Sequence, residues 1–221
     1  MEKIPLRTVI THRNKTVIFM IMGGVFAALY FLSGAISYQN GVVLPIPEFE
    51  ANIPFWTWTI WIYIILYPCY IVWALYSYKN ITYMNKTFYS FFTLTALSCI
   101  IFVIFPVIYP REFFPLPFND DLSTLLFKIM RQTDKPSNCL PSLHVGICFC
   151  MAYGFRHESK KKFIFSLLMS TLISLSTLTT KQHYIYDIVA GFAAASLIHW
   201  FYCKFTFNYS KGELPPDTPK N

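Results

Sequence analysis

Six apolar runs dominate this chain. They extend from Thr16 to about Ser37, Phe55 to about Tyr76, Phe88 to about Tyr109, Pro141 to about Phe155, Phe163 to about Thr180 and Tyr184 to about Phe205, and the first five carry no Asp, Glu, Lys or Arg. In hydrocarbon every backbone N–H and C=O must find its partner inside the protein, so a spanning segment is a helix or part of a closed barrel. A spanning helix takes about 20 residues and a spanning strand about 9–11. Most of these runs have the helical length. The expected fold class is therefore all-α, a six-transmembrane-helix bundle with an extramembrane loop, residues 110–140. Composition agrees, since only 13% of the chain is charged and 55% is hydrophobic, against about 25% charged in an average protein.

The net charge of +7 would point to nucleic acid in a soluble protein. In a membrane chain it sorts by side. With six crossings both termini share one side, and that side holds 13 Lys and Arg against 5 on the other. The positive-inside rule puts the richer side in the cytoplasm. We therefore expect an integral membrane protein of a bacterial inner membrane, or of an endomembrane in a eukaryote, with both termini cytoplasmic and no nucleic-acid partner. The expected domain plan is a cytoplasmic N-terminus (1–15), a six-span domain (16–205) and a disordered tail (206–221). Oligomeric state is not readable. Within the 110–140 loop, Leu122, Leu125, Leu126 and Ile129 recur at helical spacing, predicting a short amphipathic surface helix over 121–131.

Two polar stretches open apolar runs on the same, non-cytoplasmic side. One is Asp134-Lys-Pro-Ser-Asn-Cys-Leu-Pro-Ser-Leu-His144, and the other is Lys181-Gln-His-Tyr-Ile-Tyr-Asp187. Pro141-Ser142 reads as a helix start with Ser142 as N-cap. A helix N-terminus suits an anion, and His144 sits in its first turn. His183 and Asp187 are four apart and share a helix face. The carboxylate can bond one ring nitrogen and leave the other basic, which is what a nucleophilic histidine needs. The six cysteines include no CxxC pair, Cys139 has no evident partner, and no metal-ligand cluster is expected.

These residues carry a resemblance. Lys128 is followed after six residues by Lys135-Pro136; then come Pro141-Ser142-Leu143-His144; then Ser176-Thr177, five residues, His183, three residues and Asp187. In order and spacing this resembles the type-2 phosphatidic acid phosphatase superfamily, whose motifs are Lys-x6-Arg-Pro, Pro-Ser-Gly-His and Ser-Arg-x5-His-x3-Asp. Three positions depart: Lys135 and Thr177 stand in place of Arg, and Leu143 in place of Gly. Pro-Ser-Leu-His looks more like the inositol-phosphorylceramide-synthase-like branch.

The resemblance implies a membrane lipid phosphatase without a metal or other cofactor. His183 would attack phosphorus to form a phosphohistidine, Asp187 would orient it, and His144 would protonate the leaving alcohol. Lys128, Lys135, Ser142 and Ser176 would bind the substrate phosphate, with Lys181 supplying the charge missing at Thr177. Two alternatives stay open. One is a lipid phosphotransferase that moves a phospho-headgroup to a lipid or polyol hydroxyl. The other is an inactive lipid-binding protein or transporter, for which the lost arginine is the main support. The expected partners are a phosphorylated membrane lipid and the bilayer.

Overall fold

A computed structural model describes residues 4–117 and 121–209. In chain order the elements are β1 (Ile4–Arg7), α1 (Lys15–Gln39), β2 (Val42–Val43), the single turn α2 (Glu48–Ala51), α3 (Tyr67–Ser77), α4 (Ile81–Ile104), β3 (Val107–Ile108), α5 (Leu122–Thr133), α6 (Leu143–Gly154), α7 (Lys160–Thr179), α8 (Ile185–Phe205) and β4 (Thr206–Tyr209). The all-α membrane class is as expected. Among the described residues, five helices are long and apolar enough to cross a bilayer: Lys15–Gln39, Thr57–Ser77, Ile81–Ile104, Lys160–Thr179 and Ile185–Phe205.

The fourth expected crossing differs. Helix α6 has 12 residues, about 18 Å at 1.5 Å per residue, well short of a hydrocarbon core of about 30 Å. It is the centre of the bundle. Ten of its residues are buried, including every one from Val145 to Ala152, and it packs against α3, α4, α7 and α8. A helix that is apolar all round is a core helix. Enclosed by its neighbours, α6 has no need to match the bilayer, and it places its first turn below the end of the bundle. The surrounding helices present large apolar side chains outward, among them Met20, Leu32, Ile104, Leu168 and Leu197.

The second crossing changes pitch. It begins as a 3-10 turn, Thr57–Thr59, widens to a π-helical stretch, Ile62–Leu66, and continues as α3. Pro68 stands in the first turn of α3 and has no N–H to donate to the preceding turn. A π-type widening just before it absorbs the missing bond, and such widenings recur at functional sites. Tyr63 and Tyr67 lie in and beside it.

The two ends of the bundle are built differently. At one end β1 and β4 pair in parallel, Ile4 opposite Thr206 through Arg7 opposite Tyr209. The side chain of Asn85 accepts from the N–H groups of Val9 and Ile10, and Lys86 donates to the Thr206 carbonyl. The tail expected from 206 is thus a strand as far as Tyr209, and 210–221 lie outside the described residues. At the other end β2 pairs with β3, close to α2 and α5. Asp121 caps α5, accepting from Thr124 N–H at 2.7 Å. The predicted helix is present, but Leu122, Leu125 and Ile129 point outward while Thr124, Phe127 and Met130 are buried. An outward apolar stripe on a helix at the bundle end suits an interfacial position.

The basic end is held by Glu158 between α6 and α7. Its carboxylate accepts from the N–H groups of Lys79 and Asn80 and from Lys162, 3.0 Å away. Burial pushes this carboxyl up, but the backbone donors and Lys162 outweigh burial and hold it below its ordinary value. A depressed folded-state value contributes stability above the unfolded value, lost as pH falls through the folded one. Glu158→Gln should cost about 1–2 kcal/mol at neutral pH. In detergent, thermal midpoints of wild type and variant should converge as the pH is lowered below the carboxylate range.

Candidate active site

The starts of α6 and α8 are in backbone contact. A Cβ on Gly191 would lie 2.5 Å from the Ser142 carbonyl oxygen, and one on Gly146 would lie 3.2 Å from that of Gly191. Glycine at 191 lets the two helices approach this closely. The Ser142 N–H then donates to the Asp187 carbonyl at 3.0 Å. Ser142 is the N-cap of α6, its Oγ accepting from Val145 N–H at 3.5 Å. The contact brings the two polar stretches together, with the His144 and His183 rings 5.7 Å apart between centroids.

His183 and Asp187 pair as expected, Nδ1 to Oδ2 at 3.2 Å, both buried. The same Oδ2 accepts the Tyr184 N–H at 2.9 Å, as part of a capping box at the start of α8. The other carboxylate oxygen, Oδ1, is buried with no partner among the described residues. His144 lies between Tyr63 and Tyr67, with centroids at 4.4 and 4.8 Å. The Tyr63 hydroxyl stands 3.5 Å from its Nδ1.

The cation beside these histidines is Arg111, which sequence reasoning left in the loop. It is buried, donates from Nη1 to the Asp134 carbonyl at 2.6 Å, and has Nη2 3.6 Å from the Asp134 carboxylate. Its Nε is buried and unpaired. It is close enough to His144 and Tyr63 to act on both electrostatically. Burial pushes the Asp134 carboxyl up, against the pull of Arg111. Arg131 lies on the same side, its guanidinium lowered to about 10 by burial and then by Arg111. Asp134 also accepts from Tyr30 hydroxyl, and Asn138 donates to the Tyr30 carbonyl, so the motif loop is tied to α1.

Of the expected phosphate ligands, Ser142 stands at this contact, while the others make contacts of their own. Lys128 is exposed on α5, and Lys135 is exposed with its Nζ 4.7 Å over the Tyr38 ring. Lys181 is buried, donates to the Glu50 carbonyl at 3.1 Å and lies over the Phe114 ring. Burial holds its ammonium below the ordinary value, against the pull of Glu50. Ser176 donates to Ile173 within α7, and Thr177 to Ser174. Glu50 was also missed. Its carboxylate accepts the Ile185 N–H at 2.9 Å, pinning the start of α8, and burial pushes it up.

Two joined apolar recesses lead to this cluster. A cleft of about 290 Å³ is lined by Phe26, Tyr30, Tyr63, Tyr67, Asp134 and His144 among others. A second recess, about 440 Å³, shares Phe26, Tyr67 and Pro68 with it and continues between α1 and α3 past Gly23 to Thr16 and Tyr76. Cys139, unpartnered in the sequence, has its Sγ within 4.8 Å of donor atoms of both His183 and Asp187. The expectation of no metal-capable cluster is therefore revised.

Residues 47–201 match the model of the PAP2 superfamily. The chain belongs to the PAP2 superfamily. The match covers all the residues above except those of α1. An uncharacterized protein of Methanocaldococcus jannaschii is 34% identical over 67 residues, which is 30% of this chain and 28% of that protein. The match and five helices long and apolar enough to cross a bilayer indicate a membrane protein.

Gly191→Ala tests the helix contact. The added methyl meets backbone, which has no rotamer to yield, so α6 and α8 must separate or shift. Expected is a loss of about 1–3 kcal/mol of stability, seen as a lower thermal midpoint. Gly24→Ala, where a Cβ meets nothing within 4 Å, should leave the midpoint unchanged or raise it.

Proposed function

We propose that this PAP2 protein is a membrane lipid phosphatase working through a phosphohistidine on His183. The observation that carries the reading is the His183–Asp187 pair facing His144, beside a buried arginine, at the head of an apolar recess. With Nδ1–H donated to Asp187, His183 keeps the Nε2 lone pair. Nε2 attacks phosphorus, the P–O bond to the lipid alcohol breaks, and His144 gives its proton to the departing oxygen. His144 then takes a proton from water, whose oxygen forms a new P–O bond as the P–N bond breaks.

Arg111 is the proposed phosphate clamp. Its charge would take the part of the arginine that the resemblance calls for at Thr177, and a guanidinium presents donors in a fixed fork that suits phosphate oxygens. Electrostatic stabilisation by positioned donors is worth the most in a site that excludes water. The reaction so written needs no metal. The recess between α1 and α3 takes an acyl chain, with the headgroup at His144 and Arg111. The basic end faces the cytoplasm and the histidines face the opposite side. Transfer to a lipid or polyol hydroxyl in place of water is the second reading, favoured by Pro141-Ser142-Leu143-His144. Headgroup release that appears only with an added alcohol would establish it.

Phosphate release from a lipid panel by purified protein should persist in EDTA. His183→Ala should lower it by about a thousandfold or more, and Arg111→Ala by about a hundred- to a thousandfold. EDTA-sensitive turnover that survives His183→Ala would refute the histidine mechanism.

A Cβ at Gly23 meets nothing within 4 Å, so Gly23→Trp should fill the recess without disturbing the helices. Displacing about two methylenes of a bound chain costs about tenfold. We expect at least that loss in kcat/KM on long-chain lipid and no change on a short-chain, water-soluble phosphate ester. Equal rates on the long-chain lipid would place the chain elsewhere.

A further inference from the structure

Cys139 is buried in the motif loop, and its thiol makes one weak contact, 3.5 Å to the Pro136 carbonyl. Its Sγ, a His183 ring nitrogen and an Asp187 carboxylate oxygen all lie within 4.8 Å of one another. Thiolate, imidazole and carboxylate are all ligand types that Zn²⁺ accepts. Two donors about 2.0–2.1 Å from a tetrahedral zinc stand about 3.3 Å apart, and His183 Nδ1 and Asp187 Oδ2 are 3.2 Å apart. The Cys139 sulfur, within 4.8 Å of both residues' ligand atoms, would move in to reach its own bond length of about 2.3 Å. Asp187 Oδ1, buried and unpartnered, is a second oxygen open to a cation. The Tyr184 N–H on Oδ2 already orients the carboxylate, as outer-shell donors do at metal sites.

We propose that Cys139, His183 and Asp187 form an inhibitory Zn²⁺ site. The metal takes the place of the proton between His183 Nδ1 and Asp187, that proton moves to Nε2, and the Cys139 thiol ionises, so binding releases one proton. Three protein ligands leave the fourth position to water. With its ring fixed on zinc and its carboxylate partner engaged, His183 no longer has the tautomer and orientation that the attack on phosphorus requires. The inhibition rests on the phosphohistidine reading; the metal site itself does not.

Two measurements keep these apart. The full chain in detergent is titrated with Co²⁺, which reports thiolate ligation through a sulfur-to-cobalt charge-transfer band in the near ultraviolet. The expected result is a band saturating at one Co²⁺ per chain, removed by Zn²⁺ and absent in both Cys139→Ser and Cys139→Ala. Lipid phosphate turnover is then measured against free Zn²⁺. It should fall with zinc and return with EDTA, and the Cys139 variants should need at least about tenfold more zinc for half-inhibition. Absence of the band in wild type overturns the site whatever the activity. A band unchanged in both variants, or equal zinc sensitivity in wild type and variants, also overturns it. If the protein turns over no lipid, the cobalt titration alone decides the site, and the phosphohistidine reading fails separately.

Discussion

The contact on which the site depends joins the backbones of α6 and α8. Ser142 donates its N–H to the Asp187 carbonyl, and this is possible because Gly191 has no side chain to hold the helices apart. One hydrogen bond in water would be worth about 1 kcal/mol. In a bilayer its value lies more in geometry, because an unsatisfied backbone group there costs several kcal/mol. The bond fixes how far α6 slides along α8, and that sets the distance between a histidine in the first turn of one and the entrance of the other. The short length of α6 fits this role. A full crossing would carry its first turn to the membrane surface, whereas a 12-residue helix enclosed by the bundle keeps His144 level with His183.

Charge burial around this contact follows a division of labour. Lys181 and Glu50 answer each other through the backbone, Lys181 on the Glu50 carbonyl and Glu50 on the Ile185 N–H. Their groups are consumed in holding α2 against the start of α8. Arg111 is only half consumed. Asp134 takes one nitrogen well, at 2.6 Å through its carbonyl, and another loosely, at 3.6 Å through its carboxylate, while Nε has no partner. Orphaned donors in a buried guanidinium are costly. An anion arriving at the histidines would relieve that cost, which is why Arg111, and not the better-paired Lys181, is the cation assigned to phosphate.

The residues legible in the sequence were those whose spacing is a helical property. His183 and Asp187 are four apart and so share a face, and Ser142 precedes an apolar run and so caps it. The apolar runs gave the helices, including α5, for the same reason. Arg111 was not legible, because its approach depends on a loop whose path is set by long-range bonds, from Tyr109 N–H to the Pro136 carbonyl and from Arg111 to Asp134. Lys128 and Lys135 illustrate the reverse. The family resemblance singled them out, but Lys135 leans over Tyr38 and Lys128 is exposed on α5. For α5, periodicity revealed the apolar stripe without saying which way it faces. In water the stripe of Leu122, Leu125 and Ile129 would be the buried one, while beside a bilayer apolar groups can face outward and periodicity no longer says which side is core.

Cys139 bears on the same limit. Nothing in its neighbours in sequence distinguishes it from a small apolar loop residue, and it becomes a ligand candidate only because the loop lays it against the α8 entrance. The site's requirements then pull in opposite directions. A buried, water-poor pocket raises the worth of each positioned charge in phosphoryl transfer, but burial also concentrates good metal ligands where no water competes for them. A hydroxyl or methyl at 139 would leave the His183–Asp187 pair untouched while removing the one soft ligand. The thiol therefore separates the proton-bridged pair from the metal-bridged one, two states of a single bond 3.2 Å long.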